Sequence, residues 1–292
     1  MVSRIVVTGV MCLSVMAMTN GCASMGKAAG DAKGVEGKVL FLSKSSGFEH
    51  SVIKWNDKQV SHVDTVLKPL FEGMGMTYES TKDAGTINAE NLKKYKLVIM
   101  YTSADLTQKG EDGNPPMGPN GVAELKAWIE NGGALLGLHS TTDSFHTPEG
   151  GAVTPFLTML GAEFKGHGKQ FAGTVKVVDP ENPAMARFPK DWKIQDEWYT
   201  FINFNQKDMH VLALLDPGEE RSKQEMYNVP AYPIVWCSQV GKGRVYFNGM
   251  RHREDVWTNP DFQNVMMDAA KWVMGEGAAK NEPNFDKVVP TK

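Results

Sequence analysis

The sequence is poor in cysteine: there are three in 292 residues, and two of them, Cys12 and Cys22, lie in the first 22. Cys237 is thus alone in the body of the chain, which excludes an intramolecular disulfide there and any cysteine-rich metal site. An excess of either charge is missing too. With 31 Lys and Arg against 34 Asp and Glu, the chain offers no basic field for nucleic acid and no polybasic tract for anionic lipid. No apolar run suits a permanent transmembrane helix. Internal repeats and low-complexity blocks are absent from the folded region. What remains, 41% hydrophobic and 22% charged, is a globular composition of one large domain or two small ones.

Arg4 precedes an apolar stretch from Ile5 to Met18, and Gly21-Cys22-Ala23-Ser24 follows, the layout of a secretory signal. Thr19-Asn20-Gly21-Cys22 resembles a bacterial lipoprotein box, in which Cys22 becomes the lipidated first residue of the mature chain. The expected protein is therefore exported, periplasmic or on the cell surface, and touches a membrane only through that anchor. Residues 1–22 read as the signal and 23–37, small and glycine-rich, as a flexible tether. A single domain follows over 38–274. Periodicity is lost from Gly275, so 275–292 reads as a loose tail.

Within the domain, Lys38–Ser43 is a short apolar run that gives way to a polar loop, Lys44–His50, and then to a helical pattern from Ser51 to Met74. A strand at 76–80, a helical connection at 89–95 and a buried strand at 96–102 follow. The loop 103–119, rich in Gly, Pro, Asp and Asn, carries no regular pattern. After a helix at 120–131, the uncharged run Ala134–Leu138 reads as a parallel strand covered on both faces. Alternating β and α predict a doubly wound, mainly parallel α/β sheet with helices on both faces.

Beyond Asp143 the pattern predicts a helix at 155–160, a turn-rich polar stretch at 161–170, an edge strand at 171–178 and a strand at 194–201. In that last strand Asp196 and Glu197 point to opposite faces. A strand at 210–216, a hairpin of 232–240 with 243–250 and a closing helix at 261–274 complete the chain.

In open α/β sheets ligands bind beyond the carboxyl ends of the strands. Four loops of that kind carry titratable groups: Glu49 and His50; His139 and Asp143; Asp196 and Glu197; Arg251 and His252. Several imidazoles and a carboxylate on one sheet edge suit a divalent metal, zinc or similar, or acid–base catalysis. His50, His139, Glu197 and His252 are the candidate ligands, although their spacing matches no compact zinc signature. Cys237, in a strand-like run, reads as packing.

These residues resemble the trehalose-utilisation, ThuA-like family over Lys38 to Met274. The carriers are Gly-Phe-Glu-His at 47–50, Gly-Leu-His-Ser-Thr-Thr-Asp-Ser-Phe at 137–145, Gly-Ala-Glu-Phe-Lys-Gly-His at 161–167, Asp-Glu-Trp-Tyr at 196–199, Pro-Ile-Val-Trp-Cys at 233–237 and Gly-Lys-Gly-Arg-Val-Tyr-Phe at 241–247. The resemblance implies a flavodoxin-like, class I glutamine-amidotransferase-like fold. Amidotransfer itself needs a cysteine at the strand-to-helix turn, where this chain has His139.

The resemblance further implies disaccharide or glycoside catabolism, with 3-keto sugars as a substrate class. A ketone acidifies the neighbouring C–H, so His139 or Glu197 is a candidate base, with Asp143 and His252 completing the catalytic set. A metal or Arg251 would hold the enolate oxygen. His50, His167, Trp198, Tyr199 and Arg251 are candidate substrate contacts, and Trp198, Tyr199 and Trp257 candidate sugar-stacking rings. A lipid-anchored carbohydrate-binding protein without catalysis is the alternative.

Overall fold

A computed structural model describes residues 1–2, 37–110 and 112–291. The signal, the lipoprotein-type Cys22 and nearly all of the tether lie outside the described residues. In chain order the folded part runs β1 (Gly37–Leu42), α1 (His62–Gly73), β2 (Met76–Thr81), α2 (Ala89–Leu92), β3 (Leu97–Met100), α3 (Gly121–Glu130), β4 (Ala134–Leu138), α4 (Pro155–Leu160), β5 (Glu163–His167), β6 (Phe171–Val177), β7 (Asp191–Asp196), β8 (Tyr199–Ile202), β9 (His210–Asp216), β10 (Tyr232–Val240), β11 (Gly243–Asn248), α5 (Glu254–Thr258), α6 (Pro260–Val273) and α7 (Phe285–Val288). Among these residues no helix is long and apolar enough to cross a membrane.

One nine-stranded sheet has the order β2-β1-β3-β4-β11-β10-β9-β6-β7, and β5 pairs with β8 in a separate ribbon. From β2 to β11 neighbours are parallel, in the doubly wound order of a flavodoxin-like core. The β10–β11 hairpin then reverses direction, and β9, β6 and β7 extend the sheet antiparallel. Every residue of β3 and β4 is buried, which is why these strands read as unbroken apolar runs without alternation.

Five expectations about local structure are corrected. The helix expected from Ser51 begins at His62, because Ser61 and Asp64 form a reciprocal capping box there. Before it, Ser51–Ile53 is a single 3-10 turn, and Asn56 Oδ1 accepts the N–H groups of Lys58 and Val60 in a side-chain-closed turn. The stretch 161–170 is not all turn, since Glu163–His167 pairs with β8. β6 is not an edge strand: β9 and β7 flank it, and β7 takes the edge. The run 194–201 is two strands, broken at Glu197 and Trp198, so Asp196 ends one sheet and Tyr199 opens the other ribbon.

Nor is the tail loose. Asn284 imitates a strand partner, its Oδ1 accepting from Val211 N at 2.6 Å and its Nδ2 donating to Val211 O at 3.0 Å. Phe285 packs on Phe204 with ring centres 5.3 Å apart. Asn284 and Val211 are 73 residues apart in sequence, out of reach of any local pattern.

The irregular loop after β3 is clamped to the end of β1. Lys44, fully buried, pairs with Asp112 at 2.5 Å and also donates to the carbonyls of Asn114 and Lys109. A buried charge is tolerated only when paired and hydrogen-bonded in this way.

Candidate metal centre

Three parallel strands deliver imidazoles to one edge of the sheet. His50 closes the loop after β1, His139 is the first residue beyond β4, and His252 stands four residues beyond β11. The fourth member, Glu197, enters from the break between β7 and β8. One ligand atom from each of the four lies within 4.8 Å of all the others.

Strand β4 stops abruptly because His139 takes φ +41°, a left-handed value uncommon for a residue with a Cβ. The chain then winds through a 3-10 turn over His139–Asp143, anchored by Thr141 Oγ1, which accepts from Leu138 N and donates to Met100 O at 2.6 Å. Arg251 is the second outlier, at φ +101°. Such strain persists where surrounding contacts over-determine it. At Arg251 the contact is Asp196, whose fully buried carboxylate accepts Arg251 N at 2.6 Å, His252 N at 3.1 Å and Glu197 N at 2.9 Å. Burial pushes the Asp196 carboxyl above its ordinary value, against the pull of His139, the backbone donors of Arg251 and Glu197, and the His252 imidazole.

The atoms without hydrogen-bond partners show what the site could hold. His50 Nδ1, His139 Nε2 and His252 Nδ1 are buried and make no hydrogen bond. His139 Nε2 stands 3.5 Å and His252 Nδ1 3.1 Å from Glu197 Oε1, close but without hydrogen-bond alignment. The opposite nitrogens of two rings are engaged: His139 Nδ1 with Gly249 O at 3.1 Å and His50 Nε2 with the Tyr199 hydroxyl at 3.2 Å. With those nitrogens carrying the proton, the atoms facing inward are bare lone pairs. Metal-binding histidines are held this way, one ring nitrogen hydrogen-bonded to the protein and the other left for the cation.

Electrostatics agree. Burial first, then the nearness of His139 and His252, holds His50 well below its ordinary value and keeps it neutral. Burial opposes the charge on Glu197, but His139 and His252 outweigh it and hold the carboxyl far below the usual carboxylate range. A neutral His50 and an ionised Glu197 suit a divalent cation such as zinc. Burial lowers His252, but the Glu197 carboxylate outweighs it and raises that imidazole above its ordinary value, so cation binding there would release its proton.

The structure thus brings together the four candidate ligands and adds His167, whose Nδ1 is 3.2 Å from Glu197 Oε2 at the half-exposed mouth. Of the adjacent carboxylates, Glu197 faces the imidazoles while Asp196 holds the backbone. Asp143 is not a member of the four; its carboxylate binds His146 Nε2 at 2.7 Å, and His146 Nδ1 reaches Glu163 at 3.0 Å.

The proposed sugar-stacking rings are corrected, because all three are buried. Trp198 donates to Phe171 O, Trp257 to Arg251 O, and Tyr199 lies against His139 with centres 4.2 Å apart. Arg251 is corrected as a substrate contact: its guanidinium is fully buried, 4.0 Å from the Phe262 ring centre and 5.5 Å from that of Trp257. Its unusual φ accompanies this inward course. Sequence reading missed the roles of Asp196 and of the Gly249 carbonyl. The pairing of Asp196 with residues 251 and 252 leaves no local trace.

The Asp143–His146–Glu163 chain has a pH signature. The hydrogen bond to Asp143 raises the imidazole, partial burial opposes this, and Glu163 adds to it, so His146 titrates at about 9. Since the folded value exceeds the unfolded one of about 6.5, the stabilisation is complete below that pH and is lost as pH rises through about 9. His146→Gln is expected to be less stable than wild type by at most about 1 kcal/mol at pH 6, given the half-exposed ring, and equally stable at pH 10. Urea unfolding at both values checks this; a gap independent of pH would contradict it.

A flavodoxin-like sheet with a histidine-rich centre at its carboxyl edge defines the class, and comparison with known proteins narrows it. The ThuA family model, described as trehalose utilisation, matches residues 38–273, and the chain belongs to that family. Among solved structures, a ThuA-like protein from Bacteroides uniformis is 21% identical, with 90% of this chain and 100% of that one covered and a TM-score of 0.64. Another, from Parabacteroides merdae, is 16% identical, with 84% and 94% covered and a TM-score of 0.60. At these identities the likeness is one of fold. Comparison with curated proteins found no match.

Proposed function

We propose that the protein is an exported, metal-assisted enzyme of glycoside catabolism acting on 3-keto-glycosides. The observation that carries this reading is the convergence of three unpartnered imidazole nitrogens and the Glu197 carboxylate within 4.8 Å. Membership in a family described as trehalose utilisation supports the substrate class. Export and anchoring at Cys22 rest on the residues of the signal.

His50, His139, His252 and Glu197 would hold the ion. A bound divalent cation supplies Lewis-acid polarisation of a carbonyl oxygen. The protein's part is to move a proton beside that carbonyl. Glu197 and His167 stand together at the mouth, where the half-exposed imidazole can exchange protons with substrate and solvent. When the His167 imidazole takes the C–H proton next to the ketone, the electron pair of that bond moves towards the carbonyl oxygen. If the pair returns to expel the group on the next ring carbon, the glycosidic C–O bond breaks and the departing oxygen takes a proton.

The test is hydrogen–deuterium exchange, followed by NMR, at the carbon beside the ketone of a 3-keto-glucoside incubated with zinc-loaded protein in D2O. Exchange faster than the buffer rate by about 100-fold or more, lost on chelation, is expected. Exchange at the buffer rate, with sugar still bound, would instead make the protein a carbohydrate binder.

A further inference from the structure

Among the described residues, one aromatic ring stands in water beside the metal centre. Phe48 is 67% exposed, and its ring meets that of His50 edge-on with centres 5.0 Å apart. Tyr101, Tyr199, Trp198 and Trp257, the other large rings around the cluster, are buried. Exposing a phenyl group is unfavourable, and a mobile loop would fold it away.

This loop is not free to do so. Ser46 N donates to Ser103 O at 3.0 Å, Ser46 Oγ to Gln108 O at 3.1 Å, and Ser103 Oγ to the carbonyl of Phe48 itself at 2.8 Å. Next in sequence, Glu49 pairs with Lys82 at 2.6 Å, and His50 opens the following 3-10 turn. Gly47 is packed so closely that a Cβ would come within 2.9 Å of the Ala104 Cβ. The ring is thus held in place before any ligand arrives, which removes the ordering cost of binding.

We infer that Phe48 is the platform for the second ring of a disaccharide or glycoside whose first ring lies at the metal centre. The inference rests on the carbohydrate reading above. A pyranose presents an apolar C–H face that matches an exposed phenyl ring, while its hydroxyls remain in solvent. The adjacency to His50 places that face one ring away from the reacting carbon. Phe48 therefore sets selectivity for two-ring over one-ring sugars and takes no part in proton transfer.

The probes are trehalose and glucose, titrated calorimetrically into the zinc-loaded protein, its Phe48→Ala variant and its Phe48→Trp variant, with metal content measured in each. Phe48→Ala should hold its zinc and bind trehalose about tenfold more weakly, with glucose changed by less than about twofold. Phe48→Trp should bind trehalose as well as wild type, with a change in the fluorescence of the introduced indole on binding. Equal trehalose affinity in wild type and Phe48→Ala overturns the platform and leaves the carbohydrate reading intact. Equal losses for both sugars overturn the second-ring assignment. If the zinc-loaded wild type binds neither sugar, the platform fails, and deuterium exchange on the 3-keto-glucoside decides the carbohydrate reading separately.

Discussion

Replacing His139 by glutamine is expected to abolish stoichiometric zinc binding while the fold survives. The imidazole is fully buried and its Nε2 has no other partner, so no water or side chain can take over the lost ligand bond. Outer-shell changes at metal sites cost about 10- to 100-fold in affinity, and loss of a ligand should cost at least the upper figure. Tyr199→Phe, which removes only the hydroxyl on His50 Nε2, should fall inside that range. His62→Ala is the control, because that half-buried histidine begins α1 and is not one of the four ligands. Elemental analysis after dialysis reads the stoichiometry. Thermodynamic linkage supplies a second readout: zinc at about a thousand times its Kd adds about 4 kcal/mol to wild-type stability and should add almost nothing to the variant. Stoichiometric zinc in His139→Gln, or none in the wild type after zinc loading, would refute the centre.

The second large effect should come from a residue outside the four. Asp196→Ala leaves the N–H groups of Glu197, Arg251 and His252 without their acceptor in a dry interior. Each orphaned donor costs about 1–3 kcal/mol, partly recovered by relaxation, so a loss of about 3–5 kcal/mol is expected. That is a large share of the roughly 5–15 kcal/mol of a typical domain. The same contacts hold Arg251 at φ +101° and so direct its side chain inward and His252 towards the metal centre. Zinc affinity should therefore drop with stability, even though Asp196 is not a ligand. Urea unfolding together with zinc titration decides the matter. A variant within about 1 kcal/mol of wild type and with normal zinc affinity would show that the segment 249–253 is held by other means.

The three clustered histidines were legible because each follows an apolar run, His139 directly after β4 and His50 and His252 in the loops beyond β1 and β11. A strand buried on both faces cannot carry a charge, so the place where such a run breaks into a polar loop marks the sheet edge. The family resemblance agrees with this reading and with the parallel half of the sheet. The antiparallel half was less legible. A two-residue period cannot show that β6 lies between β9 and β7, or that one apparent strand at 194–201 divides between two sheets.

Aromatic residues misled for a related reason. Trp198, Tyr199 and Trp257 stand beside polar residues in sequence, which suggests a pocket wall, yet each ring turns into the core and uses its polar atom to bind a neighbour. Phe48, in a polar loop that gives no apolar pattern, is the ring left outside.

Local sequence by itself determined the βα alternation, the carboxyl-edge histidines and the absence of a thiol nucleophile, since these depend on short-range periodicity and residue chemistry. Only the tertiary structure decided that Asp196 turns to the backbone N–H groups of Glu197, Arg251 and His252, that Arg251 is buried and that the tail docks on β9. Those outcomes depend on contacts between segments more than fifty residues apart and on two backbone angles that distant hydrogen bonds impose.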